Sequence, residues 1–193
     1  MMKTGDIYQQ ILDVAESLIQ SRGYNAFSYR DISEWVGVKT SSIHYHFPTK
    51  ADLGKVVVQK HLELLAAELE QILNHTTWTS RKKLEVFIDA IVARTYQADR
   101  KMCLGGMLAA EVLTLPEPIQ NEVRAFFQRI EEWLKQVLKE GIARKEFNIH
   151  LDTKSEVMVM LALLEGSLLL ARLFQEEKRL AVAKKKILER LTR

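Results

Sequence analysis

The chain has 193 residues, 47% of them hydrophobic and 27% charged, so it can bury a substantial core without disulfide staples. Three prolines and eight glycines are too few for the tight turns of a sandwich or barrel, which leaves an all-α fold as the expectation. A net charge of +3 is mild for a nucleic-acid binder. The single Cys103 excludes an internal disulfide and fits a reducing compartment. The opening residues MMKTGDIYQQ hold no apolar leader segment, and the longest apolar run, 157–164, stops at Glu165. That run is far below the ~18 residues of a membrane span. A soluble cytoplasmic protein with no membrane partner is expected.

In residues 6–22, Ile7, Ile11, Val14, Ala15, Leu18 and Ile19 recur at helical spacing, an amphipathic helix that Gly23 ends. Lys3 and Thr4 before it are placed to serve as a short nucleic-acid-binding arm. Residues 24–54 then pack two helix starts and a tight turn into little length. Ser28 with Asp31 forms a capping box for a helix from Tyr29 to Val36, and Gly37 supplies a left-handed turn. A short helix beginning at Lys39 or Thr40 runs to Pro48, and Thr49 with Asp52 caps a third. Ile32, Val36, Val38, Ile43 and Phe47 are the expected small core.

At about 100° per residue, Ile43 and Phe47 face inward on the short helix while Ser41 and Tyr45 point the opposite way. Ser42 and His44 lie on its flanks. Hydroxyls and imidazoles on such a face suit base edges and phosphates in a major groove. Residues 1–54 carry five Lys/Arg against six Asp/Glu, a balance of −1, so bulk charge does not drive binding. Local placement has to do so, with Arg30, Lys39 and Lys50 toward phosphates and acids at caps or on the far side.

Asp31-Ile32, Gly37-Val38, Ile43-His44-Tyr45-His46-Phe47-Pro48-Thr49-Lys50 and Leu53 resemble the DNA-binding domain of the TetR family of transcriptional regulators. That family's pattern there is close to D-I-A, A-G-V, L-Y-x-H-F-x-x-K-x-x-L. The chain departs from it at His44, where tyrosine is usual, and at Ser41, where glycine is frequent. The resemblance implies a helix-turn-helix domain over 1–50 and a helical effector-binding and dimerisation domain over 51–193, with about nine helices in all. Arg30, Lys39, Thr40, Ser41, Ser42, His44, Tyr45, His46 and Lys50 are the expected DNA contacts.

Beyond the motif, a long helix from Ala51 to about Asn74 links the two domains. Ser80 is placed to cap a helix from Arg81 to about Asp99. Met102 to Leu115 is apolar except for Glu111 and Thr114 and is expected to be a helix buried on nearly all sides. Gly105-Gly106 lacks the following Lys-Ser/Thr of a phosphate loop, so close helix approach or a helix break is the better reading. Helices from Pro118 to about Ala143, from about Asp152 to Phe174, and from Lys178 to Arg193 complete the chain.

The last two long helices carry many large apolar residues, and Gly166, Ser167 and Ala171 permit close crossing. The resemblance assigns them to a homodimer that reads a palindromic operator as two half-sites. It also implies a cavity for a hydrophobic or amphipathic small-molecule effector near Phe87, Tyr96, Met102, Cys103, Met107, Glu111, Met158 and Glu165. Glu111 and Glu165 stand out, since a carboxylate in an apolar helix must be paired, protonated or ligand-facing. Cys103 as a redox sensor is a further reading. His44 and His46, two apart on a helix, do not make a metal site, and no cofactor is expected. The sequence shows no nucleophile elbow, metal signature or acid–base pair, so an enzyme is not expected. The main reading is a repressor released from DNA by its ligand. The alternative is a DNA-binding protein without a small-molecule effector, controlled by a protein partner or acting in chromosome organisation.

Overall fold

The computed structural model describes residues 7–192, all helices and connections, with no strand among the described residues. Lys3 and Thr4, the expected arm, lie outside that range. The helices are α1 (Ile7–Arg22), α2 (Tyr29–Val36), α3 (Thr40–His46), α4 (Lys50–Leu73), α5 (Ser80–Arg94), α6 (Leu104–Ala110), α7 (Glu117–Ala143), α8 (Thr153–Phe174) and α9 (Lys178–Arg190). A short 3-10 turn, Val112–Thr114, follows α6. The chain forms two compact units, Met1–Glu63 with Leu104–Phe126, and Leu64–Cys103 with Phe127–Arg193.

In the first unit, α1 contributes Ile11, Ala15 and Ile19, all fully buried, to a core shared with Ile32, Ile43, Phe47 and Leu53. Gly37 adopts φ 76° and closes α2, its N–H donating to the Ser33 carbonyl at 2.9 Å. A side chain at that φ is strained, which is why the turn takes glycine. The Ser33 hydroxyl donates to the Val38 carbonyl at 2.6 Å and stiffens the turn. Both capping motifs form: the Ser28 N–H donates to Asp31 at 2.8 Å, and the Thr49 N–H donates to Asp52 at 3.0 Å. The Tyr29 hydroxyl donates to the Phe47 carbonyl at 2.8 Å, tying α2 to the end of α3.

In the second unit, Leu84, Ile88, Val137, Leu138, Val157, Ala171 and Ile187 are buried to 2% exposure or less. The Trp133 indole donates to the Leu69 carbonyl at 2.7 Å, joining α7 to α4. The buried Lys83 ammonium reaches the Leu73 carbonyl at 2.8 Å and Glu140 at 2.9 Å. Arg190 holds the buried Glu156 carboxylate through two bonds, 3.0 and 3.1 Å.

Several sequence expectations change. α5 stops at Arg94: the Thr95 hydroxyl bonds back to the Ile91 carbonyl at 2.7 Å, and Asp99 and Arg100 take left-handed φ of 68° and 54°. Its cap is Thr79, which accepts from the Lys82 N–H at 3.1 Å, while Ser80 is already helical. The 102–115 stretch is a seven-residue helix and a 3-10 turn, and Leu113 stands 95% exposed. α8 is long and apolar enough to cross a membrane by length and composition, which a search for unbroken apolar runs passes over. Gly166 has nothing within 4 Å of where a Cβ would stand, so it makes no close crossing inside this chain.

Candidate nucleic-acid interface

α3 is fixed from beneath by the fully buried Ile43 and ends where the Phe47 N–H bonds the Ile43 carbonyl at 2.8 Å. Lys39, exposed, is its N-cap residue. Thr40, Ser41, His44 and Tyr45 are exposed at one-turn spacing and form a single stripe, while Ser42 and His46 are half-buried at its edges. Tyr45 is 83% exposed, its ring 5.2 Å from that of His46. His46 in turn lies edge-on to Tyr8, 5.7 Å away. His44 Nδ1 sits 3.2 Å from the Pro48 carbonyl, and its ring is 4.7 Å from that of Tyr29. The outward groups are thus hydroxyl, phenol and imidazole on a rigid support, with Arg30 exposed at the start of α2 and paired to Glu34 at 3.0 Å.

Lys50 is placed otherwise than the sequence reading expects. Its ammonium turns inward, donating to the Tyr24 carbonyl at 2.6 Å and to the Phe27 carbonyl, and lies over both their rings at 4.5 and 4.2 Å. Burial lowers its pKa, opposed by the charges of Glu111 and Asp31. Both contacts are with the α1–α2 loop, where carbonyl oxygens and aromatic faces supply the negative potential a phosphate would otherwise supply. Trp35, not among the expected contacts, is 70% exposed on α2. Its three-residue spacing from Ile32 reads as core in the sequence, so no local signal announces this exposure.

Burial pushes the Tyr29 phenol up to about 12, with the Asp52 charge adding to it. Hydrogen bonds from Ser28 hold the Asp31 carboxyl below the usual range. Both groups stay in one protonation state across the physiological range.

The effector candidates fall in both units. Phe87, Met102 and Cys103 are buried in the second, where the Phe87 ring lies 5.0 Å from that of Trp133. Tyr96 is half-buried in the turn after α5, and Met158 is 56% exposed on α8. Glu165 Oε2 is buried without a hydrogen-bond partner, and the Cys103 thiol bonds the carboxyl. Desolvation raises the Glu165 pKa, partly offset by that thiol. Met107 and Glu111 belong to the first unit, and the Glu111 carboxylate accepts from the backbone N–H groups of Tyr24 and Asn25. Among the described residues, no group of three or more His, Cys, Asp or Glu side chains is placed to hold a metal.

Residues 11–56 match the family described as bacterial regulatory proteins, tetR family, and residues 80–187 match the tetracyclin repressor-like C-terminal domain. A TetR transcriptional regulator from Legionella pneumophila is 41% identical, with a TM-score of 0.91 over 99% of this chain and 100% of that one. Among characterised proteins, the nucleoid occlusion factor SlmA of Vibrio vulnificus is 24% identical over 162 residues, 83% of this chain and 81% of its own. The transcriptional repressor KstR2 of Mycolicibacterium smegmatis is 27% identical over 143 residues, 74% and 68% of the two chains. The helix-turn-helix geometry, the two matched domains and the 41% identity over the full chain agree: this protein belongs to the TetR family of DNA-binding transcriptional regulators.

Proposed function

We infer that the protein is a cytoplasmic homodimeric repressor that reads a palindromic operator with α3 and is released by a hydrophobic or amphipathic small molecule. The observation that carries this reading is the α3 stripe of Thr40, Ser41, His44 and Tyr45, exposed above a fully buried Ile43. Donors and acceptors on a short, rigid helix are what base-edge readout requires. Lys39 and Arg30 flank the stripe with positive charge for the phosphate backbone. Residues 1–50 then form the reading domain, residues 51–193 the effector and dimerisation domain, and α4 the connection. The similarity to KstR2, a repressor, favours repression.

Dimerisation is supported by α8 and α9, which leave Met158, Leu169, Leu170, Leu173, Phe174 and Val182 between 43 and 67% exposed. A cluster of large apolar side chains at that exposure favours burial against a second copy. The effector reading is supported by Glu165, whose buried carboxyl has one oxygen unpaired beside Cys103, in a unit that also buries Phe87 and Met102. An amphipathic molecule carrying a hydrogen-bond donor or positive charge satisfies that oxygen. Turnover of the ligand is not part of this reading.

Selection of genomic fragments on the purified protein, followed by salt titration of the best duplex, tests it. The expected result is a short palindrome bound with affinity that falls as salt rises. Tyr45→Ala is expected to weaken binding about ten-fold or more, with the dimer and helicity unchanged. Wild-type affinity in that variant would remove α3 from the interface. The similarity to a nucleoid occlusion factor favours a second reading, a DNA-bound protein controlled by a protein partner. Recurrent sites scattered along the chromosome, indifferent to small molecules, are the outcome that selects it.

A further inference from the structure

The loop between α1 and α2, residues 23–28, is gripped from two sides. On one side the Glu111 carboxylate accepts from the Tyr24 N–H at 2.6 Å and from the Asn25 N–H and side-chain amide at 3.2 Å each. The Asn25 amide also donates to the Thr114 hydroxyl at 2.8 Å. On the other side the Lys50 ammonium takes the Tyr24 and Phe27 carbonyls. Gly23, Tyr24 and Phe27 are buried in this loop while Asn25, Ala26 and Ser28 are exposed; buried backbone groups need partners, and here an anion takes the N–H groups while a cation takes the C=O groups. Charged partners make these bonds stronger than neutral ones.

Gly23 makes the anion's approach possible. It sits at φ 92°, and a Cβ there would stand 2.9 Å from Glu111 Oε1. Glycine is therefore required twice over, for the left-handed backbone and for the space the carboxylate occupies. The gripped loop leads directly into α2, and Lys50 is the first residue of α4. Displacing Glu111 thus frees the entry to the helix-turn-helix and alters the surroundings of the start of α4.

The segment that carries Glu111 is tied at both ends to the second unit by the chain itself. Leu104, its first residue, follows Cys103, and α7 runs without a break from Glu117 to Ala143. We propose that Glu111 is a positioning residue for operator binding, the closed carboxylate grip on Gly23–Asn25 holding α2 and α3 in their DNA-reading arrangement and its release lowering operator affinity. This rests on the operator-binding reading above.

The test uses the full chain, the operator duplex selected from the genome, and the variants Glu111→Gln and Gly23→Ala, each measured well below its unfolding temperature. Fluorescence anisotropy is expected to give an affinity loss of about ten-fold in either variant, the size that follows from losing a charge-assisted hydrogen bond. The double variant is expected to lose less than the two single losses combined, because part of the Gly23→Ala loss is the same broken grip and the rest is the strain of a side chain at φ 92°. Amide hydrogen exchange at Tyr24 and Asn25 is expected to speed up in parallel. If Glu111→Gln fails to fold, Thr114→Val, which leaves the carboxylate in place and removes the exposed bond from Asn25 together with the hydroxyl's bond to the Glu111 backbone carbonyl, is expected to give a smaller loss of the same kind. Lower thermal stability with unchanged operator affinity, or additive losses in the double variant, overturns the proposal. Failure of the wild type to bind any duplex overturns the operator reading and this proposal together, whereas wild-type binding unaltered by the variants overturns the grip alone.

Discussion

The two units are held together by different kinds of polar contact. In the helix-turn-helix part of the first unit, the decisive bonds are local: Ser28 to Asp31 and Thr49 to Asp52, three residues apart, and Ser33 to Val38, five apart. In the second unit they join residues far apart in sequence: Lys83 to Glu140, Arg190 to Glu156, and the Trp133 indole to the Leu69 carbonyl. Local bonds set where helices begin and end and are exposed to water, so each contributes little. Long-range buried charges fix which helices meet, and leaving one of them unpaired is expensive.

The sharpest way to break this contrast is Glu140→Ala. It removes the carboxylate from Lys83, whose side chain is 2% exposed, and leaves the ammonium with only the Leu73 carbonyl. A loss of about 3 kcal/mol in a urea unfolding experiment is expected, from the penalty of an unpaired buried charge. Lys83→Met with Glu140→Leu is expected to recover most of it, since apolar residues of similar volume carry no such penalty. A loss below 1 kcal/mol in the single variant would mean that water reaches the Lys83 ammonium and takes the place of the carboxylate.

The same contrast explains what the sequence revealed. The helix-turn-helix is legible because caps, turn glycine and apolar spacing all lie within a few residues of one another, and they specify α2, α3 and the start of α4 closely. Glu111 was recognisable as a carboxylate in need of a partner, but its partners, Tyr24 and Asn25, lie 86 and 87 residues away. No local pattern announces such a pairing, and the same residue read as a ligand contact. Lys50 misled for a related reason: its spacing fits a phosphate contact, while two carbonyls and two aromatic rings from residues 23 to 26 positions earlier draw it inward. Thr95 shows the limit of helical periodicity, since apolar spacing carries on past the point where a back-bonded hydroxyl ends α5.

A smaller effect belongs to Glu165 of the second unit, whose Oε2 is buried with no hydrogen-bond partner among the described residues. Desolvation raises the folded-state pKa of Glu165 above its ordinary 4.5. A carboxyl whose folded pKa is raised adds stability below its unfolded pKa, and that contribution disappears as pH rises through the folded value. Between low and neutral pH the folded state therefore loses the stability that the neutral carboxyl contributes, and Glu165→Gln is expected to unfold at higher temperature than wild type at neutral pH. The gain is expected to vanish in melts recorded below pH 4.5, where both side chains are neutral. An equal gain at both pH values would locate the effect in packing rather than in charge. Loss of ligand-induced operator release in the same variant is the matching functional outcome, because stability gained at a binding group is commonly lost from function.

The smallest effect on stability belongs to the reading face itself. Ser41 is exposed on α3, and its replacement by alanine is expected to change unfolding free energy by less than about 0.5 kcal/mol, the range of surface substitutions. Its hydroxyl stands one turn from Tyr45, at a position where the family often has glycine, so it adds a donor and an acceptor to the surface proposed to meet base edges. Ser41→Ala is therefore expected to leave the melt unchanged and to alter the base preferred at one position of each half-site, by about 1 kcal/mol of discrimination for a single hydrogen bond. Repeating the genomic selection with the variant measures this directly. An identical selected motif would confine readout to His44, Tyr45 and their flanking residues, and a changed motif at two symmetric positions would place Ser41 in contact with the bases of each half-site.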